Sequence, residues 1–308
     1  MAGKWTAADI PDQSGRLVVV TGANSGLGRS TAWELARAGA TVVIAARNTD
    51  KGEEAAERIR QDVPEAELRV QQLDLADLGS VRSFAEGLEH DRVDVLINNA
   101  GVMAPPRRLT KDGFESQFGT NHLGHFALTG RLLPRLLAAP APRVVTLSSG
   151  AHRFGRINFS DLQGERRYIA WLAYGQSKLA NLMFAFELQR RAIEAGTALE
   201  SMAAHPGYSA TNLQFAAPRL PDRMVMAVTN RLVAQSAEMG ALPTLYAATA
   251  ELPGGTFVGP DGFMEQRGHP KVVTGAGKAY DEAAQRRLWD VSEELTGVHY
   301  EFASSAAV

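Results

Sequence analysis

The chain has 308 residues, 21% charged and 45% hydrophobic, with a formal net charge of −2 and no cysteine. This excludes disulfides, thiolate metal centres and a cysteine nucleophile, and a pI near 6.4 excludes the dense basic face that a nucleic-acid partner needs. No uncharged apolar run approaches the roughly 18 residues of a membrane-spanning helix, and the opening MAGKWTAADIPDQSG has no signal-peptide core. The expectation is a cytoplasmic globular protein with a core that needs no covalent staples.

Short β-branched runs alternate with helix-period segments along most of the chain. LVVVT (17–21), TVVIAA (41–46), ELRVQQL (67–73), VDVLIN (93–98), RVVTLS (143–148) and LESMAA (199–204) read as strands apolar on both faces, as buried parallel strands are. Helices are expected at 26–38, 50–62, 77–89, 114–138 and 173–195, with Gly39 capping the first. GGTFVG (254–259) reads as a further strand and 278–296 as a closing amphipathic helix. The alternation implies right-handed βαβ units and an α/β, doubly wound parallel sheet of about seven strands with helices on both faces. No linker divides the chain, so residues 1–308 are expected to form one domain. Three stretches look added to it: an N-terminal extension of 15 residues, an insertion near 150–172, and a Pro- and Met-containing segment near 212–235.

The first strand runs into Thr21-Gly22-Ala23-Asn24-Ser25-Gly26-Leu27-Gly28 at the mouth of a helix. Glycines there permit a tight turn and close approach of backbone to a pyrophosphate, whose charge is favoured at a helix N-terminus. A Walker A loop is excluded, because five residues separate Gly22 from Gly28 and Arg29 stands where Lys is required. The spacing is G-x-x-x-G-x-G rather than G-x-G-x-x-G. An ordinary strand–helix loop remains the alternative for this turn alone.

Preceded by Thr, that spacing resembles the nucleotide loop of short-chain dehydrogenases/reductases, and the resemblance continues in order. Asp74-Leu75 ends the third strand, Asn98-Asn99-Ala100-Gly101 ends the fourth, and Asn121 lies in a helix. Ser148-Ser149 ends the fifth strand, Tyr174-x-x-x-Lys178 follows, and Pro206-Gly207 and Thr211 end the sixth. The matches span 21–211. They imply a Rossmann-type NAD(P)-binding domain that interconverts a carbonyl and an alcohol by hydride transfer. Gly22, Asn24, Ser25, Gly26, Leu27, Gly28, Asp74, Leu75, Asn98, Ala100, Gly101, Tyr174, Lys178, Pro206, Gly207 and Thr211 then line the cofactor site.

NAD sites place a carboxylate at the end of the second strand to hold the ribose hydroxyls. Here that strand ends Ala45-Ala46-Arg47-Asn48. Arg47 offers two parallel hydrogen bonds to a 2′-phosphate, so NADP(H) is expected, with NAD(H) as the alternative. In the family's manner Asp74 accepts from the adenine amino group; its other reading is a cap for the helix near Asp77.

Tyr174 and Lys178 are four residues apart on a predicted helix and so share a face. A phenol with a pKa of about 10 is a poor acid–base group at neutral pH. An ammonium about 4 Å away, at an effective dielectric of about 20, contributes about 4 kcal/mol, or about three pKa units. The spacing therefore predicts a phenol tuned towards neutrality. The resemblance implies that Tyr174 protonates the carbonyl oxygen, Lys178 binds the nicotinamide ribose, Ser149 rather than Ser148 hydrogen-bonds the substrate oxygen, and Asn121 holds a water on the proton path to Lys178.

Several residues read otherwise. His122 and His125 lack an obvious third metal ligand and are expected to pack beside Asn121. No G-x-S-x-G elbow is present. Tyr168 lacks a lysine partner and either lines the substrate mouth or packs locally. His205, before Pro206, faces the nicotinamide region or makes a structural hydrogen bond.

The 25-residue step from Ser149 to Tyr174 is longer than in many members. With SSGAH, HPG and LWDVSEELTGV it resembles the branch holding retinol dehydrogenases and WW-domain oxidoreductases. Membrane-bound retinol dehydrogenases carry an N-terminal anchor that this sequence lacks, so retinoid activity is not carried over. The 212–235 stretch, with Leu213, Phe215, Met224 and Met226, suits a lid over an apolar carbonyl compound, or equally a cover for the core or a subunit contact. Members of the family assemble as homodimers or homotetramers through helices equivalent to 114–138 and 173–195, which the 150–172 insertion is positioned to obstruct. A cofactor-binding sensor without turnover is the non-enzyme alternative, although Asn121, Ser149, Tyr174 and Lys178 are all present.

Overall fold

The computed structural model describes residues 4–207 and 236–302. Thr211 and the 212–235 stretch therefore lie outside the described residues. Eight strands form one sheet in the order β3-β2-β1-β4-β5-β6-β7-β8. They are β1 (Leu17–Thr21), β2 (Thr41–Ala46), β3 (Leu68–Gln72), β4 (Val95–Asn98), β5 (Arg143–Leu147), β6 (Glu200–Ala204), β7 (Phe257–Pro260) and β8 (Pro270–Val272). All pairings are parallel except β7 with β8. The expected doubly wound sheet is thus present, with an antiparallel edge strand added. β8 was not anticipated because it is three residues long, begins with Pro and exposes two of its three side chains, leaving no periodicity to read.

Alternate residues of β1, β2, β4 and β5 enter opposite cores, as the pleat requires. Val19, Val43, Leu96 and Val144 face one layer with Phe126, Leu132, Phe184, Leu188 and Trp289. Val18, Val20, Ile44, Ile97 and Val145 face the other with Leu35, Ile59 and Leu245. The first layer contains α3 (Leu78–Glu86), α4 (Gly124–Leu137), α5 (Ala170–Glu194) and α7 (Glu282–Thr296); the second contains α1 (Gly26–Arg37), α2 (Thr49–Asp62) and α6 (Ala237–Thr249). Gly39, at φ 95°, closes α1 with Gly39 N–H on the Ala36 carbonyl and Ala40 N–H on that of Leu35, the left-handed cap expected for it.

Two departures matter for the site. The helix expected over 114–138 is interrupted: one turn (Ser116–Phe118) leads into a π-helical turn (Gly119–Leu123) before α4 begins. Such wide turns gather at functional positions, and this one carries Asn121. Second, α7 and the residues after it cover α4 and α5. Trp289 packs 5.1 Å from the Phe126 ring and stacks 5.8 Å from that of Phe184, and the Tyr300 hydroxyl donates to the Phe126 carbonyl at 2.6 Å. The two long helices are consequently buried along most of their lengths within this chain. The 150–172 insertion packs on the same helical region, with Ile157, Phe159 and Leu162 against a cluster that holds Phe118 and, on α5, Leu179 and Met183.

Candidate active site

Strand order reverses beside β1, which pairs with β2 on one side and β4 on the other. In open α/β sheets ligands bind in the crevice outside the strands' carboxyl ends at such a point. The strand-end motifs leave the sheet at that edge: Gly22–Gly28 after β1, Arg47 after β2, Asp74 and Leu75 after β3, Asn99–Gly101 after β4, Ser148 and Ser149 after β5, and His205–Gly207 after β6.

The glycine turn is constrained by its neighbours. Gly22 and Gly26 hold φ of 66° and 54°, and a Cβ on Gly28 would stand 2.5 Å from both the Gly22 carbonyl oxygen and Asn99 Nδ2. Ser25 caps α1 without a side-chain hydrogen bond to its first turn, which leaves those N–H groups for an anion. Thr21 and Asn99, absent from the expected site residues, fix this turn. The Thr21 hydroxyl accepts from the Asn99 and Ala100 N–H groups, both at 2.9 Å, and Asn99 Nδ2 donates to the Thr21 carbonyl at 2.7 Å. The pairing of loop ends across β1 and β4 that gives them this role is a tertiary fact; the sequence shows both residues inside motifs, Thr21 before the glycines and Asn99 after Asn98, but not their contact. The cradle fits a dinucleotide pyrophosphate.

Asn98 itself turns inward, its amide donating to the Thr129 and Thr146 hydroxyls at 3.0 and 3.3 Å. Its side chain serves the interior rather than the crevice. Arg47 is exposed and borders a cleft of about 670 Å³ with Gln72, Asp74, Ser80 and Lys111. Asp74 Oδ1 accepts from Ala76 N–H at 3.0 Å, whereas Asp77 caps α3. Leu75 is buried, and its carbonyl would be 2.4 Å from a Cβ on Gly124.

Tyr174, Lys178, Ser149 and Asn121 converge between β5 and α5. Burial raises the Tyr174 phenol above its usual 10, and the Ser149 side chain acts in the opposite direction without overcoming it. Lys178 Nζ lies 5.9 Å from the Tyr174 ring centroid and donates to the Leu147 carbonyl at 3.1 Å. Burial draws this ammonium down to about 8. The expectation of a phenol pulled towards neutrality by Lys178 is therefore corrected: desolvation, which spacing does not reveal, dominates both groups.

Ser148 donates to the Lys178 carbonyl at 2.8 Å and belongs to the packing of α5. Asn121 Oδ1 accepts from Val102 N–H at 2.7 Å, while its amide donates to the Val102 carbonyl and the Ser177 hydroxyl, both at 2.9 Å. A Cβ on Gly101 would meet Asn121 Oδ1 at 3.0 Å and Lys178 Nζ at 3.6 Å, so this glycine keeps the floor of the crevice open. His125 Nδ1 donates to the Asn121 carbonyl and its Nε2 lies 2.9 Å from the Thr21 hydroxyl, while His122 Nε2 pairs with Ser292 at 2.9 Å. Tyr168 packs locally. Its hydroxyl donates to the Pro105 carbonyl at 2.8 Å and accepts from Gln117, and burial with nearby Glu115 pushes it up to about 12.

A doubly wound sheet with a glycine cradle at its switch point defines a dinucleotide-binding protein. Comparison with known proteins gives the particular family. Residues 16–219 match the short chain dehydrogenase family. The chain is 43% identical over 305 residues to retinol dehydrogenase 12 of Mus musculus, covering 96% of this chain and 90% of that one. It is 41% identical over 307 residues to retinol dehydrogenase 13 of Homo sapiens, covering 94% and 86%. Among solved structures, an uncharacterized protein from Mycobacterium paratuberculosis is 52% identical with a TM-score of 0.83, covering 97% of this chain and all of that one. A structure titled as an NAD(P) dependent gluconate 5-dehydrogenase from Beutenbergia cavernae, with bound NADP, is 30% identical with a TM-score of 0.61, covering 77% and 90%. The chain belongs to the short-chain dehydrogenase family, in its retinol dehydrogenase-like branch, and is a carbonyl/alcohol oxidoreductase of small molecules. Members of the family bind NAD(P). Among the described residues no helix is long and apolar enough to cross a membrane.

Proposed function

We propose that this chain interconverts a lipophilic aldehyde or ketone and its alcohol with NADP(H), using Tyr174 as acid and base. The observation that carries this reading is the convergence of Tyr174, Ser149 and Lys178 at the carboxyl edge of β5, one strand from the β1–β4 crevice. NADP(H) supplies or accepts the hydride when bound. The first-turn N–H groups of α1 hold the pyrophosphate, and Asp74 and Leu75 border the adenine. Arg47 offers its guanidinium to a 2′-phosphate at the cleft rim. Support for that phosphate comes from the missing carboxylate after β2 and from the NADP named for the Beutenbergia relative.

In the reducing direction the Tyr174 hydroxyl donates its proton to the carbonyl oxygen. Burial suits this step, since it keeps the phenol protonated at neutral pH. Ser149 holds the substrate oxygen as charge develops on it. Lys178 remains a cation near pH 7, because its pKa of about 8 lies above that, and it holds the ribose while Asn121 fixes the chain around Val102.

A lipophilic substrate is supported by half-exposed aromatic side chains beside the phenol. Trp171 sits edge-on to the Tyr174 ring at 6.1 Å, and Phe154 lies against Gly175. The relatives' names point to retinol, an apolar alcohol of the same class. NADPH oxidation over a panel of carbonyl compounds tests the reading: long-chain or cyclic apolar carbonyls are expected to give the highest kcat/KM. Uniformly faster turnover of small hydrophilic ketones contradicts it. Tight NADPH binding with no turnover of any compound would instead favour a sensor.

We propose also that α4 and α5 do not form a subunit interface, because Trp289, Val298 and Tyr300 of the same chain cover them. A cytoplasmic location, expected from the sequence, is tested by fractionating cells that express the full chain.

A further inference from the structure

Beyond the motifs of the family, one network ties the segment after Ser149 to the turn at Pro206-Gly207. His205 is 2% exposed and its Nε2–H donates to Glu265 Oε2 at 3.0 Å. Its other ring nitrogen, Nδ1, accepts from Gly207 N–H at 3.3 Å. The two contacts hold the ring with Nε2 towards Glu265 and Nδ1 towards the Gly207 turn. Arg153, in the short helical turn that Ser149 caps, donates through Nη2 to both Glu265 carboxylate oxygens at 2.9 Å.

Glu265 and the preceding Met264 hold φ of 56° and 50°, a region that side-chain-bearing residues rarely occupy. Such backbone persists only where its surroundings over-determine it. The same loop also touches the turn directly, since a Cβ on Gly207 would meet the Gln266 carbonyl oxygen at 2.4 Å. Gly259 makes room for the imidazole: a Cβ there would stand 2.2 Å from His205 Nε2. The groups facing this imidazole are Glu265, Arg153 behind it, and His152, whose Nδ1 donates to the Ser149 carbonyl.

We propose that Arg153, Glu265 and His205 are positioning residues that set the Gly207 turn against the nicotinamide half of the cofactor. The inference rests on the reading of Pro206 and Gly207 as cofactor-facing residues. Neither Glu265 nor Arg153 belongs to a motif of the family noted above, and 112 residues separate them. The network joins both sides of the crevice, one bearing Ser149 and the other the turn.

The test compares full-length Glu265→Ala with the wild type for binding of NADPH and of 2′,5′-ADP, which lacks the nicotinamide half. NADPH affinity is expected to fall fivefold or more and kcat about tenfold, with 2′,5′-ADP affinity changed less than twofold. Glu265→Gln, which still accepts from His205, is expected to recover most of the NADPH affinity. Arg153→Ala, at a half-exposed position, should give a smaller loss of the same kind if Glu265→Ala does not fold. Equal losses for both ligands, or no loss for either, would overturn the proposal. A chain that prefers NADH is tested identically with NADH and ADP. Failure of the 2′-phosphate reading therefore shows separately, as 2′,5′-ADP binding that Arg47→Asp leaves unchanged.

Discussion

Lys178 Nζ lies 5.9 Å from the centroid of the Tyr174 ring, and both residues are buried. The ammonium's pKa falls from 10.5 to about 8 because burial disfavours its charge. The unfolded chain therefore holds this proton more tightly than the folded one between pH 8 and 10.5. At pH 7 the folded protein carries the full cost, about 3 kcal/mol at 1.36 kcal/mol per unit, and the cost is relieved as pH rises through that window. Replacing Lys178 with Met is expected to raise stability at pH 7 by about 1–3 kcal/mol, allowing for the lost bond to the Leu147 carbonyl, and to abolish turnover. Urea melts at pH 7 and 10 check this: the gain should shrink at the higher pH.

Arg47 governs the choice of nucleotide in the proposed reading. A charge-assisted contact to phosphate contributes about 1.5–3 kcal/mol, so Arg47→Asp should raise KM for NADPH by roughly 10–100-fold while that for NADH falls or holds. The ratio of kcat/KM for the two cofactors is the quantity to measure. An unchanged ratio removes Arg47 from the site.

Acid should destabilise the fold through three buried imidazoles. Burial lowers His122 to about 3 and His125 and His152 to about 4, from 6.5. Unfolding lets each take up a proton below pH 6.5, so stability is full above that value and falls as pH drops towards 4. Chemical denaturation at pH 7, 6, 5 and 4 should show a steepening loss. His122→Asn should lessen the slope over that range, whatever its cost at pH 7.

The closing helix should be required to keep the chain from self-association. Deleting everything from Glu282 onward uncovers Phe126, Leu132 and Phe184, which Trp289 and Tyr300 now cover. Light scattering should then show oligomers or aggregates, and Trp289→Ala alone should cost about 3–5 kcal/mol. A truncated chain that stays monomeric and fully folded would contradict this account of α4 and α5.

Strands β1, β2, β4 and β5 were legible because they are buried on both faces and rich in β-branched residues, whereas β3 is partly exposed and β6 has no β-branched residue. Tyr174 and Lys178 were legible because helix period puts them on one face. What escaped was long-range or solvent-dependent. Nothing local marks α6, which is apolar nearly all round and contains Pro243, so it carries no stripe to read. Asn121, in the π-turn, accepts from the Val102 N–H across the fold, and Asn98 turns inward to two distant threonines. Glu265 meets His205 across 60 residues. The phenol's pKa went the opposite way because spacing reports charge proximity and not desolvation.

The central claim is that Tyr174 moves the proton while the rest of the crevice binds the cofactor. Single-turnover reduction of a saturating apolar aldehyde by NADPH, in Tyr174→Phe against the wild type, tests it most directly. The account predicts a rate lower by about 10²–10⁴-fold, the usual contribution of a positioned acid, with NADPH affinity changed less than threefold. Hydride transfer at the wild-type rate in the Phe variant would contradict it.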